Sequence, residues 1–228
     1  MTGQPDPQAK DEVLTTTETH ETLSQAHVAV ATAFFDLASS RGFMVVGGSA
    51  LIARGVVSRT TDDLDLFTAT GAGSIEEASR ELIATATAHG WVAETVRSSP
   101  TFVRLLLTVG GDELVVDLAV DAPPLTVPTL TVLGPTITVE ESAGQKMLAL
   151  FGRAAPRDFV DVYALAACFT RDDLIGLARE RAPGFDTSVL REMFGELDRL
   201  GDSRLPLRAD HVSKLRTFFG DWRQELAT

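Results

Sequence analysis

The chain has 228 residues, 44% of them apolar, enough to bury a sizeable core in one large domain or two small ones. A net charge of −12 argues against a sequence-independent DNA coat, which needs a basic surface, and a single cysteine excludes a disulfide framework. With no run of 18 apolar residues, no membrane span is expected, and a reducing cytoplasm is the simplest location.

Residues 1–20 are polar, with Pro5, Pro7 and a threonine run, and read as a disordered lead-in without a signal-peptide pattern. Residues 22–40 are helical in pattern, ended by Gly42. FMVVGG is a short buried strand that stops at Gly47-Gly48, SALIARG the next helix, and LDLFTA a second strand. SIEEASRELIATATAHG is an amphipathic helix, capped by Ser74 and stopped by Gly90. WVAETVRS, TFVRLLLTV and ELVVDLAV read as strands, with Gly110-Gly111 as the hairpin turn between the last two. One or two short strands follow at 129–139, and everything beyond Glu140 is helical. Cys168, in the apolar run ALAACF, reads as a buried, inert thiol. The expected class is α/β (α+β): a lead-in at 1–20, a mixed-sheet catalytic domain at 21–138 with flanking helices, and a C-terminal helical bundle at 139–228.

The segment TTDDLDLF places Asp63 and Asp65 on one face of a strand and Leu64 and Leu66 on the other. The leucines anchor the strand in the core and the acids stand together at its edge. Two carboxylates so close would force one pKa up unless a cation lies between them. A divalent ion resolves the conflict, and Mg²⁺ accepts carboxylate oxygens while keeping waters for a substrate phosphate. Mn²⁺ is the other candidate. Asp62 has the opposite parity and belongs to the preceding loop. A third acid, Asp117, sits amid apolar neighbours in VVDLAV. A two-residue turn at Gly110-Gly111 would also pair it across the hairpin with Arg104, which leaves a cross-strand salt bridge as the other reading.

Gly47, Gly48 and Ser49, between strand and helix, let backbone amides approach a phosphate and add a hydroxyl. Of 20 basic residues only Lys10, Lys146 and Lys214 are lysines. Lys146 and Arg153, seven apart, share a helix face, where the lysine can meet nucleotide phosphates as a compact charge. Pro156 starts the next helix, which puts Asp158 in its first turn, where simple dipole complementation is the alternative to a functional role. His20, His27, His89 and His211 show no metal spacing, and Tyr163, Trp91 and Trp222 read as core or edge residues. The stretch from Arg204 to Arg216 could guide an RNA backbone or be a solvated basic face. Given the overall charge, any nucleic-acid contact needs a local basic patch.

Gly48-Ser49, Asp63-x-Asp65 and Asp117 resemble the active-site pattern of the nucleotidyltransferase (polymerase-β-like) fold. GGSALIARGVVSRTTDDLDLF together with GQKMLALFGRAAPRDFVDVYAL resembles the AbiEii-type nucleotidyltransferase toxins, the group that includes the mycobacterial MenT toxins. Arg59, Thr61, Asp63, Asp65, Leu66 and Phe67 match the first motif. Lys146, Arg153, Arg157, Asp158 and Asp161 match the second. The family usually has His where Ser58 stands. The resemblance covers roughly residues 40–170 and implies an NTP substrate held by Gly47, Gly48, Ser49, Arg59, Thr61, Lys146, Arg153 and Arg157. It implies metal ligation by Asp63, Asp65 and Asp117, and roles for Lys146 and Asp158 in catalysis, with Asp158 holding Lys146 or binding base or sugar. It further implies a tRNA 3′ end as acceptor, blocked translation and a cognate antitoxin. Two alternatives stand beside it: transfer to a small hydroxylated molecule, as in aminoglycoside-modifying relatives, and a nucleotide-binding regulator without chemistry.

Overall fold

The computed structural model describes residues 23–227, so the expected lead-in at 1–20 lies outside the described residues. Eight α-helices and seven strands follow one another from there. The first helix, α1 (Gln25–Phe35), is capped by Ser24, whose hydroxyl accepts from the His27 N–H. It ends earlier than its pattern suggests. Leu37 is extended, and Ala38–Ser40 form a single 3₁₀ turn. Serine competes with the helix for backbone groups, and the Ser40 hydroxyl donates to the carbonyls of Leu37 and Phe35.

Strand β1 (Phe43–Val46) runs straight into α2 (Gly47–Ala53), which is followed by β2 (Asp63–Ala69) and α3 (Ile75–Ala88). Then come β3 (Val92–Ser99), β4 (Phe102–Val109) and β5 (Asp112–Asp121), with the turn expected at Gly110-Gly111. A small hairpin, β6 (Thr129–Thr131) and β7 (Gly134–Thr136), closes the β region. Together they make one mixed sheet in the order β3-β4-β5-β2-β1-β7-β6. The β2–β5 and β1–β7 pairs are parallel and the rest antiparallel.

The helical half comprises α4 (Val139–Arg153), α5 (Pro156–Leu165), α6 (Arg171–Arg181), α7 (Thr187–Phe194) and α8 (Ala209–Glu225). One hydrophobic cluster joins it to the sheet: Phe34, Leu64, Leu66 and Leu105 belong to the same core as Met147, Phe159, Phe219 and Trp222. Burying these large side chains contributes about 1.5–3 kcal/mol each. Cys168 does not share in this. It is exposed in the turn after α5, because the apolar run around it outlasts the helix that would have turned it inward. Among the described residues no helix is long and apolar enough to cross a membrane.

Candidate active site

Strand β2 alternates as its sequence dictates. Leu64, Leu66 and Thr68 are buried, while Asp63, Asp65 and Phe67 face the other way and Asp62 lies exposed in the bend before the strand. The parallel register of β2 with β5 sets Asp65 directly beside Asp117. Side chains paired in register stand on the same face of a sheet, so three carboxylates from two strands meet there. Arg104 on β4 lies opposite Asp117 and grips both its oxygens, Nε to Oδ1 at 2.8 Å and Nη2 to Oδ2 at 2.6 Å. Arg157 reaches Asp63 Oδ2 at 3.1 Å. Asp65, between them, is the crowded one. Burial first, then the charges of Asp63 and Asp117, push its carboxyl from 3.8 up to about 6.

The double glycine is shaped around that acid. Gly47 has φ +69°, and a Cβ built on it would lie 1.9 Å from Asp65 Oδ2. A Cβ on Gly48 would lie 2.8 Å from Arg59 Nη2. Only glycine lets the start of α2 press this closely against the acids and their neighbours. Ser49 departs from the expected phosphate cradle: it is fully buried, and its hydroxyl donates to the Asp63 carbonyl at 2.6 Å. It ties α2 to the first residue of β2 and leaves the cleft to Gly47, Gly48 and Thr61.

Helices α4 and α5 supply the opposing charges. Thr138 caps α4 by accepting from the Glu141 N–H, and Lys146 and Arg153 project from that helix into the cleft. Lys146 Nζ pairs with Asp161 Oδ2 at 2.8 Å. Arg59 binds the same carboxylate in a fork, Nε to Oδ1 at 2.7 Å and Nη2 to Oδ2 at 2.9 Å. Burial works to raise the Asp161 pKa, but the Arg59 hydrogen bonds and the Lys146 charge outweigh it and hold the carboxyl below its ordinary value. Asp158 is therefore not the residue that holds Lys146, and it does not line the cleft. Fully buried at the start of α5, it accepts from the Ala155 N–H and takes the Arg153 guanidinium in a fork at 2.8 and 2.9 Å.

Sequence reasoning matched Asp161 to a motif but gave it no role. The reasoning used for Asp117 would have found it, since it too is an acid among apolar neighbours, in FVDVYAL, and a buried acid needs partners. Arg181, which pairs with Glu141, and Asp121 also line the cleft. No signal in the sequence marked either one.

The cleft encloses about 500 Å³ and is lined by six cations, Arg59, Arg104, Lys146, Arg153, Arg157 and Arg181, against four carboxylates, Asp63, Asp65, Asp117 and Asp121. Its volume suits a ligand of nucleotide size. Among the described residues no serine, cysteine or histidine lines it, so no nucleophile–base pair of the acyl-transfer kind is present. Oxygen donors facing clustered cations suit transfer of a phosphorylated group, where catalysis is positioning plus charge stabilisation.

The class that this fold and cleft define is the nucleotidyltransferases. Residues 31–223 match the family described as "Nucleotidyl transferase AbiEii toxin, Type IV TA system". The chain belongs to that family, the nucleotidyltransferase toxins of toxin–antitoxin systems. In fold it is similar to the crystal structure of JHP933 from Helicobacter pylori, with TM-score 0.58 and 15% identity over 90% of this chain and 95% of that one. A second H. pylori structure gives 0.58 and 16% over 90% and 96%. MenT4, a nucleotidyltransferase toxin from Mycobacterium tuberculosis, overlaps at 0.46 and 17% over 89% and 85%. No protein of curated function matches the chain.

Proposed function

We propose that the protein transfers a nucleotide from an NTP to the 3′ end of an RNA, with tRNA as the acceptor, and so blocks translation until a cognate antitoxin restrains it. The observation that carries this reading is the facing of the β2–β5 carboxylates by the α4–α5 cations across one cleft. In a chain of net charge −12, that cleft gathers six cations in one place, although Arg59, Lys146, Arg153 and Arg181 are each paired with an acid behind it. It is where an NTP and an RNA end would meet positively charged side chains.

The donor set fits a divalent cation. Asp63 and Asp65 offer hard oxygen ligands, and the raised Asp65 carboxyl marks a place where negative charge is under-compensated. Asp117 is the third ligand proposed, once it is released from Arg104. As the side chains stand, no set of three metal-binding groups is assembled among the described residues, and Arg104 and Arg157 are paired with two of the three acids. When bound, Mg²⁺ or Mn²⁺ would neutralise the triphosphate and lower the pKa of the acceptor hydroxyl.

The rest falls to the chain itself. Gly47 and Gly48 give the triphosphate close access to the backbone. Lys146, held by Asp161, and Arg157 stabilise the charge that grows on the leaving pyrophosphate. Arg59, Thr61 and Arg153 orient the nucleotide. Asp117, freed from Arg104, can accept the proton of the attacking hydroxyl. Asp158 acts only through Arg153.

The test is mass analysis of cellular tRNA ends after induced expression of the wild type and of Asp63→Ala. Added nucleotides are expected with the wild type alone. An unchanged tRNA mass with both would remove the tRNA acceptor. The strongly acidic surface favours one competing reading, a small hydroxylated acceptor. Incubation of the purified protein with labelled NTPs and a panel of such molecules, beside total tRNA, separates the two.

A further inference from the structure

Arg153 and Arg157 face two ways. Besides lining the catalytic cleft, they form one wall of an adjoining open groove of about 360 Å³, completed by Pro156, Arg204 and Pro206. No carboxylate lines this groove. Arg204, in the 3₁₀ turn Asp202–Arg204, is exposed. Its guanidinium makes no ion pair or side-chain hydrogen bond among the described residues.

That freedom sets Arg204 apart from its neighbours. Arg199 is paired with Glu196, Arg208 with Asp210, Arg216 with Asp202 and Arg223 with Asp198. Arg179 and Arg191 of the helical half are likewise without an ion pair among the described residues, but neither lines the groove; Arg204 sits across a carboxylate-free groove from two arginines of the catalytic cleft. Pro156, locked at the first position of α5, and Pro206 give the groove stiff walls with no polar side-chain atoms to hydrate. A planar guanidinium on each side is an arrangement that holds an oxyanion and repels a cation, and the oxyanions of an RNA acceptor are its backbone phosphates.

We propose that this groove binds a backbone phosphodiester of the RNA acceptor, upstream of its reacting end, with Arg204 as the contact that lies outside the nucleotide site. The inference rests on the RNA-acceptor reading above. It adds a direction to it: the strand enters past Pro206 and Arg204 and reaches the acids between Arg153 and Arg157.

The experiment measures binding of a fluorescent single-stranded RNA oligonucleotide by anisotropy, from low to moderate salt, with wild type, Arg204→Ala and Arg204→Lys. Affinity for a non-hydrolysable NTP analogue is measured in parallel. Arg204 touches nothing that folding needs, so circular dichroism of the variants should be unchanged. Arg204→Ala is expected to bind RNA about tenfold more weakly at low salt. Its log–log salt slope should be shallower by about 0.7, the value for one phosphate of a single strand. Arg204→Lys should keep the slope, and all three proteins should bind the NTP analogue alike.

Equal RNA affinity and slope for wild type and Arg204→Ala would overturn the groove while leaving the RNA-acceptor reading standing. Weakened NTP binding by Arg204→Ala would also overturn it, by assigning the groove to the nucleotide. A wild type with no salt-dependent RNA affinity would overturn both proposals together.

Discussion

Arg104 and Asp117 face each other across the β4–β5 hairpin in a two-pronged ion pair at 2.8 and 2.6 Å, and this contact occupies both oxygens of an acid that stands beside Asp65. Asp117 is buried, but the arginine side chain is 44% exposed, so solvent screens the pair from one side. A divalent cation drawn to three clustered carboxylates would compete with Arg104 for this acid. In the proposed function Arg104 is thus an internal counter-ion of Asp117 that a bound cation would replace. Arg104→Gln is expected to tighten Mn²⁺ binding about threefold, measured by calorimetry or electron paramagnetic resonance on the protein without nucleotide. Weaker binding would show that Arg104 orients the acid instead of competing for it.

The burial and crowding of Asp65 predict a pH dependence of stability. Its carboxyl titrates at about 6 in the folded protein against 3.8 for the free side chain. Between those values the folded state keeps a proton that the unfolded chain has lost, so stability falls as pH rises through the window. Asp65→Asn removes this loss. Its urea midpoint should gain on that of the wild type from pH 4 to pH 7, by the equivalent of at most about 3 kcal/mol. A difference independent of pH would contradict the assignment. Added Mg²⁺ should narrow the gap at pH 7, because a bound cation would offset the charge that burial, first, and the neighbouring acids, second, make costly.

Asp161 is buried with two cations on it, Arg59 and Lys146. Removing the shared acid leaves both cations unpaired in the interior, which costs about 3–5 kcal/mol. Asp161→Ala should therefore lower the midpoint of chemical denaturation strongly. Lys146→Met leaves Asp161 paired with Arg59, so it should fold with a smaller loss. Pyrophosphate release by that variant should nevertheless drop about 10²–10³-fold. If the two substitutions were equally destabilising, Lys146 would be a structural residue.

Gly47→Ala should be damaging on two counts. Its φ of +69° costs an L-residue about 1–2 kcal/mol, and the new methyl group would overlap the Asp65 carboxylate. Gly71, also at positive φ but with open space around its Cβ position, is the control: Gly71→Ala carries the backbone cost alone. Loss of metal binding in Gly47→Ala, with Gly71→Ala unaffected, would separate displacement of the acid from strain.

The parts legible in the sequence were those fixed by short-range rules. Alternation in DLDLF put Asp63 and Asp65 on one face, and counting outward from Gly110-Gly111 paired Arg104 with Asp117. The parallel pairing of β2 with β5 lay beyond such rules, because it joins strands separated by a helix and two further strands. Asp158 drew notice through its place in the first turn of α5. Only the folded chain brings Arg59 within reach of Asp161, 102 residues along. Ser49 looked like a ligand because it follows two glycines, and its hydroxyl was spent instead on the nearest open carbonyl, that of Asp63.

The acids reside in β2 and β5, while Lys146, Arg153 and Arg157 that oppose them come later in the chain. A polypeptide emerging from the ribosome thus carries its like-charged cluster, with Arg104 as its partner on the neighbouring strand, before α4 and α5 exist. Until α5 has been synthesised, the nascent chain has one side of the cleft and lacks Lys146, Arg153 and Arg157 on the other.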